Sequence, residues 1–198
     1  MPTGIAIREV RGHLFEAAER ILLRSGPSGL TSRAVTTEAG CAKGVLHRHF
    51  DDFDAFLAEF VLDRVNRMDA RAAALREAVG TGAVADNLTN ALVGLFQSVA
   101  VALVALVSYR DELRARLRDA WPAGVPVLTE AATMIAAYLA AERDLGRIAP
   151  EADVDTLAAT LIGTAHLLYA DRTGTPPQVE AVHKAVTTVI GSVLRDPR

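Results

Sequence analysis

The chain has 198 residues, 51% hydrophobic and 23% charged, with a net charge of −3. That composition allows a sizeable core and excludes the polar, charge-rich profile of disordered chains. A lone cysteine, Cys41, excludes an internal disulfide, and the opening MPTGIAIREVRG lacks the basic-then-apolar layout of a secretory signal, which together indicate a reducing, cytoplasmic setting.

The most apolar stretch, Ala91 to Val107, is interrupted by Gln97 and Ser98. It falls short of the roughly 18 to 20 uninterrupted apolar residues of a membrane span and reads as a buried core helix, so no membrane partner is expected. Charge is distributed unevenly. Residues 1–50 hold seven Arg/Lys and four acids, a surplus of three positive charges, and the remaining residues carry −6. Such an asymmetry fits an N-terminal part that faces a polyanion.

Almost every segment carries helical periodicity, and the chain reads as all-α. Ile7, Val10, Leu14, Ala17, Ala18, Ile21 and Leu22 follow 3,4 spacing, and Gly26-Pro27 stops this first helix. Thr31 caps a short second helix reaching about Ala39, with Val35 and Ala39 on its inner face. Gly40 breaks the chain where a Cβ would penalise positive φ. A third short helix spans about Ala42 to Phe50 and turns Val45, Leu46 and Phe50 inward. From Phe53 a long amphipathic helix is expected to run toward Val79, with Gly80 and Gly82 ending it.

Further helices are expected over about Ala83–Tyr109, Asp111–Ala120 and Val127–Leu145, with WPAGVP (Trp121–Pro126) as the clearest loop. The last two helices have the cleanest stripes and are joined by RTGTPP (Arg172–Pro177). Leu157, Leu161, Ala165 and Leu168 lie on one, and Val182, Val186, Val189, Ile190 and Val193 on the other. Two such helices make half of a four-helix bundle that a two-fold axis would complete, so a homodimer through these residues is inferred; packing against earlier helices of the same chain is the alternative.

A short helix, a Gly-bearing turn and a second short helix form a helix-turn-helix, whose second helix can enter a major groove. Its outward positions here are Lys43, His47 and Arg48, groups suited to phosphates and groove edges. The segments LFEAAERIL, Thr31, Val35, EAGCAKGVLHRHF and DDFDAFLAEFV resemble the N-terminal domain of TetR-family transcriptional regulators over residues 7–60.

That resemblance implies a three-helix DNA-binding domain over residues 1–55, with its motif at about 31–50, followed by a larger helical effector-binding and dimerisation domain over 56–198. It implies Thr31, Ser32, Arg33, Ala42, Lys43, Gly44, His47, Arg48 and His49 as DNA-binding positions on double-stranded operator DNA. It also implies a repressor released by a small-molecule effector, with no cofactor. Three positions depart from the family pattern. Ala42 replaces a capping Ser or Thr, His47 replaces Tyr, and Phe53 stands where a phosphate-binding Lys is common. Lost phosphate donors weaken binding and flatten its salt dependence. Modest DNA affinity follows unless Arg8, Arg11, Arg33 and Arg48 compensate.

For the effector pocket, the apolar helices offer Asn90, Gln97, Tyr138, His166 and Tyr169 as polar groups, with Phe96, Trp121 and Met134 as wall. The stretch Leu92–Val107 carries no charge, which favours a mainly apolar effector. His47 and His49, two apart, point about 200° from each other on a helix and cannot clasp one metal from a single face. Cys41 reads as a small hydrophobe of the turn, with a redox switch beside the DNA face as the alternative. No nucleophile has a recognisable activating partner and no phosphate loop follows a strand, so an enzyme is not expected. Two further readings stay open: a helical dimer with weak or lost DNA binding that serves as a ligand-binding or scaffold module, and an all-α enzyme built from distant residues.

Overall fold

The computed structural model describes residues 4–122, 124–170 and 176–195, and only the backbone of residues 4–8. The side chains of Ile7 and Arg8, and residues 172–175 of the RTGTPP turn, therefore lie outside the described residues. Among the described residues there are eleven helices and no strand, in agreement with an all-α reading. They form two compact units, Met1–Arg64 with Ala102–Pro126, and Val65–Val101 with Val127–Arg198.

In the first unit, α1 (Gly4–Gly29) is broken at Gly26, whose φ of 69° suits glycine, so the helix stops where Gly-Pro predicts. Leu14, Ala17, Ala18, Ile21 and Leu22 line its buried face. α2 (Ser32–Glu38) starts on Thr31, whose Oγ1 accepts from the Ala34 amide at 3.2 Å. Gly40 turns the chain at φ 63°, and α3 (Gly44–His49) follows. α3 is shorter than expected, although its first turn already closes from the Val45 amide to the Ala42 carbonyl at 2.9 Å.

α4 (Phe53–Asn66) begins on Asp52, which accepts from the Ala55 amide at 2.8 Å. This bond is the leading cause that holds the Asp52 carboxyl below its ordinary range. Phe15 of α1 meets Phe50 and Phe56 at ring separations of 5.9 and 5.6 Å, and Phe50 stands edge-on to Phe56 at 5.0 Å. Such aromatic pairs add about 0.5–1.5 kcal/mol each beyond their buried area. The unit is completed by α7 (Ala100–Tyr109) and α8 (Asp111–Ala120), whose Leu113 and Leu117 are buried.

Two expected long helices are each divided. The helix from Phe53 ends at Asn66, where an i→i+3 bond from the Met68 amide to the Val65 carbonyl replaces the regular ladder, and α5 (Asp69–Glu77) restarts it. The apolar stretch is α6 (Val84–Phe96) followed by α7. The Ser98 hydroxyl bonds the Leu95 carbonyl and receives the Ala100 amide at 3.4 Å, so a side chain takes over backbone bonds at the break.

In the second unit α6 packs against α5, α10 (Val154–Leu168) and α11 (Val179–Ile190), and α10 also packs on α11. α9 (Pro126–Asp144) starts on a proline, whose missing N–H costs nothing at that position. It ends in a Schellman motif, with Gly146 at φ 76° and the Arg147 amide bonded to the Glu142 carbonyl at 3.0 Å. Glu142 is fully buried. Its carboxylate accepts from Arg147 at 3.0 and 3.2 Å, from the Gly80 amide at 3.2 Å and from the Tyr138 hydroxyl. Asp153 caps α10 through the Thr156 amide at 3.1 Å. The segment after α11 folds back on the turn that precedes α10. Ile148 bridges Leu194, the Ala149 amide bonds the Val193 carbonyl at 2.8 Å, and the Arg195 amide bonds the Arg147 carbonyl at 3.0 Å.

The stripes of the last two helices require a correction. Leu161, Ala165, Val182, Val186 and Ile190 are buried within a single chain by the mutual packing of α6, α10 and α11, and a side chain already buried this way is not an interface surface. Leu157, Leu168, Val189 and Val193 remain half-buried, and the strongly exposed Leu167 was not singled out by the stripe.

Candidate DNA-binding surface

α3 is anchored by one face and free on the other. Leu46 and the following Phe50 are buried, while Lys43, Gly44, His47 and Arg48 are exposed and His49 is half-buried. Thr31 and Arg33 are exposed and Ser32 half-buried at the start of α2, so the sequence-predicted positions lie on two consecutive helices of one unit. Ala42 is exposed, and no side chain caps α3. A Cβ added at Gly44 would meet nothing within 4 Å, so the fold does not demand glycine there.

The cations of this unit divide into engaged and unengaged ones. Arg11 donates to the His49 carbonyl at 3.1 Å, pairs with Glu59 and lies 4.3 Å over the Phe50 ring. Arg20 and Arg24 both bond Glu38 at 2.9 Å and hold its carboxyl below the ordinary range. Arg64 is buried with Glu19 and Asp63. Arg33, Lys43 and Arg48 have no ion-pair partner among the described residues. Charge counting along the sequence did not separate these groups, because the partners Glu59 and Glu38 are distant in sequence.

Phe53, the third departure, is half-buried and stacks on Phe56 at 5.7 Å. Arg110, at the start of α8, lies 5.5 Å over the Phe53 ring and pairs with Asp54 at 2.8 Å, while Arg116 pairs with Asp52. Three acids, Asp51, Asp52 and Asp54, thus crowd the start of α4, and two of them are neutralised by α8. Sequence reasoning missed both arginines, since nothing local links α8 to α4. Cys41 is half-buried, its Sγ 3.4 Å from the Ala39 carbonyl. Among the described residues no group of three or more His, Cys, Asp or Glu could hold a metal ion.

Residues 14–60 match the family described as "Bacterial regulatory proteins, tetR family". This segment belongs to the TetR family. No curated protein matches the chain. Among solved structures, a transcriptional regulator from Rhodococcus sp. Rha1 is 25% identical, with a TM-score of 0.67 over 92% of this chain and 95% of that one. A TetR transcription regulator from Haloarcula marismortui ATCC 43049 is 17% identical, with a TM-score of 0.71 over 95% of this chain and 100% of that one. FadR from Bacillus subtilis, in complex with stearoyl-CoA, is 15% identical, with a TM-score of 0.67 over 92% and 98%. The TetR-family fold therefore extends well beyond the TetR-family segment.

Outside that segment, the sequence-predicted effector residues fall into separate places. Asn90 and Met134 line a groove of about 320 Å³ in the second unit. Tyr138 is buried beside it, its hydroxyl accepting from Asn87 Nδ2 at 3.0 Å, and burial pushes its pKa up. Phe96, His166 and Tyr169 form a second cluster, with Phe96 stacked on Tyr169 at 5.7 Å and 6.2 Å from the His166 ring. The Tyr169 hydroxyl and His166 Nδ1 are buried without a hydrogen-bond partner among the described residues. Gln97 is exposed at the C-cap of α6, and Trp121 forms the C-cap of α8 in the first unit. No single helix among the described residues is long and apolar enough to cross a membrane.

Proposed function

We propose that the protein is a dimeric, DNA-binding transcriptional regulator of the cytoplasm, a repressor that leaves its operator when a small, mainly apolar effector binds. Residues 1–55 are the DNA-binding domain, and residues 56–198 hold the effector and the dimer contacts. The observation that carries this reading is α3, anchored by Leu46 and Phe50, with Lys43, His47 and Arg48 turned to solvent. A helix with a buried face and an unengaged cationic face inside a helix-turn-helix is suited to a major groove. Two copies related by a two-fold axis would read half-sites about 34 Å apart.

Effector action needs only that the ligand bind one dimer geometry better than the other, and that difference limits the loss of DNA affinity. The likeness to FadR, solved with stearoyl-CoA, supports small-molecule control as a capacity of this fold. The test is selection of bound fragments from genomic DNA by the purified protein, followed by a screen for ligands that release them. Enrichment of one palindromic sequence and its release by a ligand are expected.

A second reading, a helical dimer with weak or lost DNA binding, is favoured by Ala42, Phe53 and the acids at the start of α4. It predicts that no fragment is enriched.

A further inference from the structure

We propose that the groove bounded by α5, α6 and α9 takes an apolar small molecule carrying an anionic group, a carboxylate on a short aliphatic or aromatic body, with Arg71 as its charge partner. Its regulatory meaning rests on the effector reading above, but the binding chemistry does not. The groove's volume of about 320 Å³ lies at the lower end of the range of about 300–1,000 Å³ for ligand pockets. Its walls are Leu75, Ala91 and Met134, and a Cβ added at Gly94 would point into open space.

Arg71 is the one charged side chain among the described lining residues. It is exposed, and no carboxylate pairs with it among the described residues. A guanidinium presents paired N–H donors that match a carboxylate in a bidentate fork, and the apolar wall beside it strengthens the attraction relative to open water. Asn90 supplies an exposed amide on the same lining, whereas the Asn87 amide N–H groups are already engaged by the Thr81 carbonyl at 2.8 Å and Tyr138 at 3.0 Å. The polar end of a ligand is therefore drawn to Arg71 and Asn90, and its body to Leu75, Ala91 and Met134. A cationic ligand of the same shape is repelled.

Calorimetric titration of the full chain with 4-phenylbutyrate, 4-phenylbutanol and 4-phenylbutylamine tests this. The carboxylate is expected to bind about tenfold tighter than the alcohol, as one charged pair of roughly 1.4 kcal/mol gives. Arg71→Gln should abolish that preference, and Gly94→Leu should block binding of the carboxylate and the alcohol alike. Equal binding of carboxylate and alcohol, a preference that survives Arg71→Gln, or no binding at all overturns the proposal. Operator release is measured separately. Binding of the carboxylate without release overturns the effector reading and leaves the ligand assignment standing.

Discussion

Arg110 Nη2 lies 2.8 Å from Asp54 Oδ1 and ties the start of α8 to the first turn of α4. Both side chains are partly exposed, so the pair is expected to contribute at most about 1 kcal/mol to stability. Its larger effect is electrostatic, since without Arg110 the start of α4 shows Asp54 uncompensated. Arg110→Gln should leave the thermal midpoint nearly unchanged while weakening DNA binding several-fold. Fluorescence anisotropy beside a melting curve separates the two effects.

Lys43 and Arg48 are exposed and without an ion-pair partner among the described residues, and each is expected to neutralise one phosphate. Alanine at either position should reduce the slope of log K against log salt by about 0.9 and weaken all sequences about equally. Anisotropy titrations over a salt series read both quantities. An unchanged slope would place that side chain away from the DNA backbone.

Gly44 faces open space within the chain, and alanine there costs the fold nothing sterically. Gly44→Ala is expected to fold with equal or slightly greater stability, given the helix propensity gained, and still to bind DNA more weakly, because the added methyl group projects from the docking face. Leu46→Ala is the structural contrast. This fully buried side chain should cost about 2–5 kcal/mol in urea denaturation.

Glu38, held below its ordinary value of 4.5 by hydrogen bonds from Arg20 and Arg24, contributes stability that is present above that value. This contribution is lost as pH falls through the lowered value in the folded state. Asp52 and Asp153 are lowered in the same sense by the backbone and side-chain bonds of their caps. Denaturation midpoints should therefore drop as pH falls below about 4, and Glu38→Gln should shallow that drop.

Glu142→Ala removes the buried carboxylate that joins Arg147, the Gly80 amide and Tyr138. It should destabilise the second unit by about 3–5 kcal/mol, because Arg147 loses its partner in a largely buried position. Chemical denaturation of the variant measures this.

What could be read from the sequence was what local chemistry decides. Thr31 announces the start of α2 with its hydroxyl, Gly26 and Gly40 mark positive φ, and the spacing of Leu46 and Phe50 identifies the buried side of α3. The breaks after Asn66 and Phe96 were illegible, since neither site has a glycine or proline and the second turns on the Ser98 hydroxyl. The stripes of α10 and α11 reported burial correctly but not the partner, which for Leu161 and Val186 is the same chain. Arg110 and Arg116 reach α4 across more than fifty residues of sequence, and the groove is shaped partly by the side chain that Gly94 lacks. Pairings of that range and missing atoms leave no periodic signal.

The backbone bridge between Ile148 and Leu194 also constrains how the second unit can come apart. The stretch beyond α11 is laced to the corner between α9 and α10, so peeling it away also strips that corner of its backbone partners. Truncation ahead of Val193 would unlatch two places at once, and this unit is expected to give way as a whole rather than piece by piece.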